Sequence, residues 1–373
     1  MNLEVNEKVE QLIKSQVSEG TQIGVQVSAY QYGEKIVDTF AGTMGPNDSR
    51  PVKPDSLFYS WSTTKGVAAT ALHILADKGY IEYDTPVTKY WKAFGKHGKD
   101  KITVAEAMSH QAGIYKTPDM KNLENITDWN KGIEYVENAV PAFTPGTKTG
   151  YHAKTYAWIV GGIIEKATRR HIKDVITEEI ATPLGIEGEM YVGIPNDVEN
   201  RLTTLEIWDP SKTRFPPGSP YYDAMPYETW GVANDMAIRR ACIPASNGHF
   251  TAHALARMYG ALANGGAIDG VRLVSSDRIE HMYRLMTDDV DIVLGMPRRK
   301  GIGFMLGGME RSVAGGRDTV FGHGGAGGSI GLADPEVGLG MAVTLNKMLR
   351  ELDPTKSRAA DICNLIRDEL GVN

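Results

Sequence analysis

Strand-like alternation of apolar and polar residues appears at the two ends of this chain and hardly anywhere between them, which confines the architectures open to it. Near the start, Val9, Leu12, Ile13 and Val17 recur at helical spacing. The chain then turns through Gly20 into Ile23, Val25, Val27 and Ala29, which alternate as in a strand. Gly33 marks a turn, and residues 36–40 return, which predicts an antiparallel hairpin. A third short strand at 57–59 runs toward Ser62. The pattern resumes after Gly301, at 303–305, 319–322, 329–333 and 340–345. A last helix follows, with Asp353-Pro354 as its cap and first turn and Ala359, Ile362, Ile366 and Leu370 as its stripe.

Residues 87–265 read instead as helices and loops, with helices at 104–109, 156–168, 172–180 and 252–264. Strands at both ends must find each other to bury a common face. The expected fold is therefore α+β: an antiparallel sheet flanked by helices, built from residues 1–86 and 266–373, with a mainly helical insertion at 87–265 and a cleft between them. One helix stands apart. Residues 63–78 contain no proline, are apolar nearly all round and end at Gly79, so a central helix is predicted, with Ser62 at its start.

Bulk properties exclude several functions. At 373 residues the chain can bury a sizeable core, and 42% hydrophobic against 23% charged residues describes an ordinary globular protein. A net charge of -6 argues against a nucleic-acid surface, which needs clustered Lys and Arg. The one compact basic run, Met296-Pro-Arg-Arg-Lys-Gly301, reads as a solvated loop. Cys242 and Cys363 have neither disulfide-framework nor metal spacing. No basic, apolar leader and no membrane-length apolar stretch is visible, so a cytoplasmic protein without a membrane partner is expected.

Ser62-Thr-Thr-Lys65 places a hydroxyl and an amine on one helical face, because positions three apart are neighbours. A lysine desolvated near a helix N-terminus is pushed toward its neutral form and can accept the hydroxyl proton. Alone, two fixed residues in four are weak. Two further features stand in order along the chain. Tyr151 follows the turn Thr144-Pro-Gly-Thr147 and precedes an apolar helix, and His323-Gly324-Gly325 lies on a late predicted strand where glycines permit close approach.

On three segments the chain resembles the serine β-lactamase and penicillin-binding protein superfamily, especially its class C-like carboxylesterases (family VIII type) and transesterases. They are Phe58-Tyr-Ser-Trp-Ser-Thr-Thr-Lys65, Ala107-Met-Ser-His-Gln-Ala-Gly113 and Phe321-Gly-His-Gly-Gly-Ala-Gly-Gly328. The resemblance spans nearly the whole chain and implies a β-lactamase/DD-peptidase-like fold. It further implies an acyl-enzyme on Ser62, Lys65 and Tyr151 sharing protons, an oxyanion hole from the Ser62 and Ala326 amides, and no cofactor or metal. Two positions depart from the family pattern. Ala153 stands where the tyrosine motif usually ends in asparagine, and His323 where β-lactamases and penicillin-binding proteins usually have lysine. A mostly neutral imidazole binds a carboxylate less well, which favours esters over penicillins.

Other residues carry competing readings. Gly327-Gly-Ser-Ile-Gly331 matches a nucleophile elbow around Ser329, but no histidine follows it and a strand rather than a helix is expected next. His249 and His253 could share a helical face as metal ligands, yet the glutamate of the H-E-x-x-H motif is missing, and surface or cap histidines are the expectation. His73 reads as a core histidine. His152 lines the cleft or points away from it. The aromatics between Trp208 and Trp230, among them Tyr222, form either an apolar pocket wall with Trp230 or ordinary core. The leading expectation is a carboxylesterase acting on small-molecule esters with short or medium acyl groups. Alternatives are an acyltransferase using the same acyl-Ser62, a D-amino-acid peptidase or amidase, a weak β-lactamase and a retired binding protein.

Overall fold

A computed structural model of the chain describes residues 1–208, 215–349 and 355–373. The two ends of the sequence share one antiparallel sheet of seven strands. Its spatial order is Met305–Leu306, Phe321–Gly324, Ile330–Asp334, Leu339–Leu345, Gly24–Gln31, Glu34–Gly45 and Asp48–Pro51. Leu339–Leu345 is its central strand and the predicted hairpin lies beside it, the seam between the ends running from Val25 opposite Leu345 to Gln31 opposite Leu339.

Alternation along these strands sorts side chains onto two covered faces. Val25, Val27, Val343 and Leu345 point toward the terminal helices Leu3–Ser18 and Arg358–Leu370, which bury Val5, Val9, Ile13, Ile362 and Ile366 against them. Each such aliphatic side chain contributes about 1.5–3 kcal/mol by leaving water. The last helix starts at Arg358, where Ser357 accepts from the Ala360 amide; the Asp353-Pro354 expected to cap it lies outside the described residues. The opposite face carries the helix Ala252–Ala263. A Cβ on Gly340 would lie 2.2 Å from the Gly260 nitrogen, so helix and sheet meet backbone to backbone. This helix was assigned to the insertion from sequence, yet it packs on the sheet.

The helix from Thr64 to Asp77 is buried along its length to Ala76 and ends at Gly79, whose φ of +79° glycine adopts without strain. It packs against Tyr156–Thr168. The short strand before it, Phe58–Tyr59, joins no hairpin with the first strands. It pairs with Gly248–Phe250, which also pairs with Met190–Val192, in a separate three-stranded sheet that fixes the approach to Ser62. Among the described residues, no helix is long and apolar enough to cross a membrane.

Candidate active site

Between the strand Phe58–Tyr59 and the long helix lies one 3-10 turn, Trp61–Thr63. Trp61 has φ +46°, a left-handed conformation that costs a bulky residue about 1–3 kcal/mol and persists only where its surroundings enforce it. They do so here: the indole is buried, 4.9 Å from the Tyr59 ring and 5.1 Å from that of Trp230. The forced turn leaves Ser62 partly exposed while both its neighbours are buried.

Lys65 is fully buried. Its Nζ lies 3.1 Å from Ser62 Oγ and donates to the carbonyls of Ala153 and Ala245, both at 2.9 Å. Burial, reinforced by the nearby charge of Lys154, holds the amine well below its ordinary pKa. A neutral amine has two hydrogens and one lone pair. Both carbonyls can only accept, so they take the hydrogens and the lone pair is left facing Ser62.

Tyr151 stands on the other side of this pair, its ring centre 4.7 Å from the Lys65 Nζ. Burial pushes its phenol far above the ordinary value, and a hydrogen bond with the Ser62 hydroxyl works in the opposite direction. Behind it, His110 packs at a tilt, its ring centre 4.8 Å from that of Tyr151, held by His152. The His152 amide donates to His110 Nδ1 at 3.1 Å, and the Ile114 amide donates to His152 Nε2 at 3.2 Å. His152 is fully buried, pulled down to about 3 by that burial, and braces Tyr151 rather than opening to a ligand.

Below Tyr151 lies a contact that sequence reasoning missed. The Asp291 carboxylate accepts from the amides of Tyr151, Val293 and Leu294 at 3.1, 2.8 and 2.9 Å, and pairs with Lys300. Lys300 is 1% exposed and also donates to Thr149. The basic run 296–301 is therefore only partly a solvated loop: Met296 and Pro297 are exposed, but its lysine is swallowed to neutralise Asp291, and Arg299 pairs with Asp318 at the surface.

The strand Phe321–Gly324 brings up the third segment. A Cβ on Gly325 would lie 2.3 Å from the Ser60 carbonyl oxygen, so this loop rests directly on the serine turn and carries Ala326 beside it. The Gly325 amide donates to the Ser329 carbonyl at 2.6 Å, which tightens the loop. A Cβ on Gly66 would fall 2.0 Å from the Tyr259 hydroxyl and 3.5 Å from His323 Cβ, so the serine helix needs glycine there to reach the strand. His323 is drawn down to about 3, chiefly by burial. Its Nδ1 is 2.8 Å from the Gly324 carbonyl, an acceptor only, so that nitrogen carries the hydrogen and Nε2 offers a lone pair.

The remaining candidates fall elsewhere. Trp230 packs on Trp61 beside the serine turn, whereas Tyr222 lines a surface groove of about 270 Å³ with Lys116, Tyr135 and Glu228. His73 is a core residue, its Nε2 donating to the Ile302 carbonyl at 2.8 Å. His249 and His253 do not share a helix: His249 is buried in the strand Gly248–Phe250, and His253 pairs with Glu189 at 2.9 Å. His249 is thus neither a surface nor a cap histidine. Ser329 is 2% exposed and leads into a strand. Among the described residues no cluster of three or more His, Cys, Asp or Glu could hold a metal ion.

Known proteins with this fold are numerous. An esterase/beta-lactamase of Mycobacterium tuberculosis, LipL, is 34% identical over 347 residues, covering 88% of this chain and 78% of that protein. The crystal structure of a family VIII carboxylesterase superposes with a TM-score of 0.89 at 33% identity, covering 97% of both chains. A penicillin-binding protein homologue from Caulobacter crescentus gives 0.88 at 31% identity, covering 98% of this chain and 97% of that one. The beta-lactamase family pattern itself runs through residues 9–363, and with the fold and the Ser62 cluster in place the chain belongs to the beta-lactamase family.

Proposed function

We propose that this chain is a carboxylesterase that works through an acyl-enzyme on Ser62. The observation that carries the reading is the set of three contacts around the Lys65 amine. Two backbone carbonyls use up the amine hydrogens, and the one open tetrahedral direction faces Ser62 Oγ at 3.1 Å. Lys65 takes the hydroxyl proton as Oγ bonds to the ester carbonyl carbon. The carbonyl oxygen becomes an oxyanion between the amides of Ser62 and Ala326. As the C–O bond to the alcohol breaks, the proton returns to the departing oxygen from Lys65 through Tyr151. Water then repeats the sequence on the acyl-Ser62 ester, giving free acid and free enzyme.

The pocket chemistry favours neutral esters. His323 is uncharged, so the third segment offers a lone pair and glycine backbone at Gly324 and Gly325 where a lysine would offer a cation. Trp230 is buried behind Trp61 and backs the serine turn rather than facing a ligand, and Tyr222 lines the groove farther out. The esterase and carboxylesterase relatives point the same way.

Intact-protein mass after brief exposure to a p-nitrophenyl ester or a fluorophosphonate tests the reading. One adduct on the native protein and on Ser329→Ala, and none on Ser62→Ala, is expected. An adduct that survives Ser62→Ala, or none on the native protein, overturns it.

A further inference from the structure

Directly after Ala153, whose carbonyl holds Lys65, stands a second buried lysine. Lys154 is 3% exposed; its amine donates to Ser246 Oγ at 2.9 Å and sits 5.6 Å from the centre of the Trp61 ring. Ser246 follows Ala245, the other acceptor of Lys65. Lys154 therefore follows one backbone acceptor of Lys65 in the chain, and its amine bonds the side chain of the residue that follows the other. Their surroundings differ from those of Lys300, which is matched by Asp291. Among the described residues no carboxylate lies within 4.0 Å of the Lys154 amine. An unmatched buried cation costs several kcal/mol, and methionine would fill the same space without that penalty.

We infer that Lys154 is a positioning residue of the acylation step: its charge keeps the Lys65 amine in the form that accepts the Ser62 proton. The inference rests on the acyl-enzyme reading above and deepens it. Like charges in a buried, low-dielectric site repel strongly, so a charged Lys154 raises the cost of charging Lys65. Burial draws Lys154 down to about 7 and holds Lys65 well below its ordinary value, and a charge on Lys154 opposes a proton on Lys65.

The other groups facing the pair do not compete. Tyr151 and Tyr156 lie over Lys65 as neutral phenols, and the imidazoles of His110 and His323 are uncharged. The charge of Lys300 is cancelled by Asp291. Beyond Trp61 on the Lys154 side lie Tyr59 and His249, both neutral, with Arg239 acting on each.

The test is the acid limb of kcat/KM against pH for a p-nitrophenyl ester. Lys154→Met removes the opposing charge, so Lys65 protonates more readily and the midpoint rises by about one pH unit, a tenfold loss at a fixed pH on that limb. Lys154→Arg keeps a charge and leaves the midpoint at or below that of the native protein. Lys154→Gln serves as the neutral variant should the methionine protein not fold. An unmoved midpoint in the neutral variant, or an equal fall at every pH in neutral and charged variants alike, overturns the inference. If those proteins still acylate on Ser62, the esterase reading survives it; if the native protein does not acylate, both fall.

Discussion

The main-chain amide of Tyr151 donates to the Asp291 carboxylate at 3.1 Å, so the phenol beside Ser62 is held by a residue 140 positions further along the chain. Asp291 in turn depends on Lys300, and both are sealed from water. Breaking a buried pair by neutralising one member leaves the other charge uncompensated. Asp291→Asn is therefore expected to destabilise the protein by about 3–5 kcal/mol and to lower kcat by loosening Tyr151. Urea unfolding and ester hydrolysis measure the two effects. Adding Lys300→Met to that variant removes the stranded cation and should recover part of the stability; no recovery would mean that the pair acts through something other than charge.

This pair also shows what the sequence did and did not disclose. Ser62 and Lys65 are legible because they sit three residues apart at one helix start, where spacing along the chain stands for spacing in space, whereas Tyr151 and the His323 segment are legible only from their order along the chain and from the family resemblance. The hairpin and late strands are legible from period-two burial. Asp291 and Lys300 are not: their meaning arises only when the loop folds under Tyr151, and a run of three basic residues resembles a solvated surface. Phe58–Tyr59 and Met190–Val192 are too short to display a period, so the small sheet that aims the serine turn went unseen. The φ of Trp61 has no signature either, because the usual mark of such a turn is glycine. Helix 252–263 reads as part of the insertion although it packs on the sheet, because its small residues, Gly260 among them, tell of close packing without naming the partner.

Acid should unfold this protein more steeply than its carboxylates alone would require. His73, His152 and His323 are buried and each falls from 6.5 to about 3, chiefly through burial. In the unfolded chain they bind protons near 6.5; in the folded protein they do not. The unfolded state therefore holds more protons between these values, so the contribution is complete above about 6.5 and is lost as pH falls toward 3. Each histidine removes about 1.4 kcal/mol per pH unit in that window, about 4 kcal/mol per unit for the three together. Unfolding free energies from urea titrations at a series of pH values between these limits check the slope. His110 and His249, also buried and held well below 6.5, add to the same slope. His73→Asn should therefore flatten it by about 1.4 kcal/mol per pH unit, and an unchanged slope would mean that His73 is charged in the folded state.

Two adjacent glycines separate the roles of the loop that rests on the serine turn. A methyl group on Gly324, which is exposed, would meet nothing nearer than Ile330 Cδ1 at 3.5 Å, an ordinary contact. The same group on Gly325 would strike the Ser60 carbonyl oxygen at 2.3 Å and Thr63 Oγ1 at 3.0 Å. Neither of these neighbours is the free end of a flexible side chain, so the loop itself must move and take the Ala326 amide with it. Removing one oxyanion donor costs about 10²–10³ in kcat, and Gly325→Ala is expected to fall in that range with little change in KM. Gly324→Ala leaves the donor in place, and its effect belongs to KM, growing with the bulk of the ester. Steady-state kinetics on a short and a long acyl ester distinguish the two. A large kcat loss in Gly324→Ala, or none in Gly325→Ala, would remove Ala326 from the oxyanion hole and leave Ser62 with a donor still to be found.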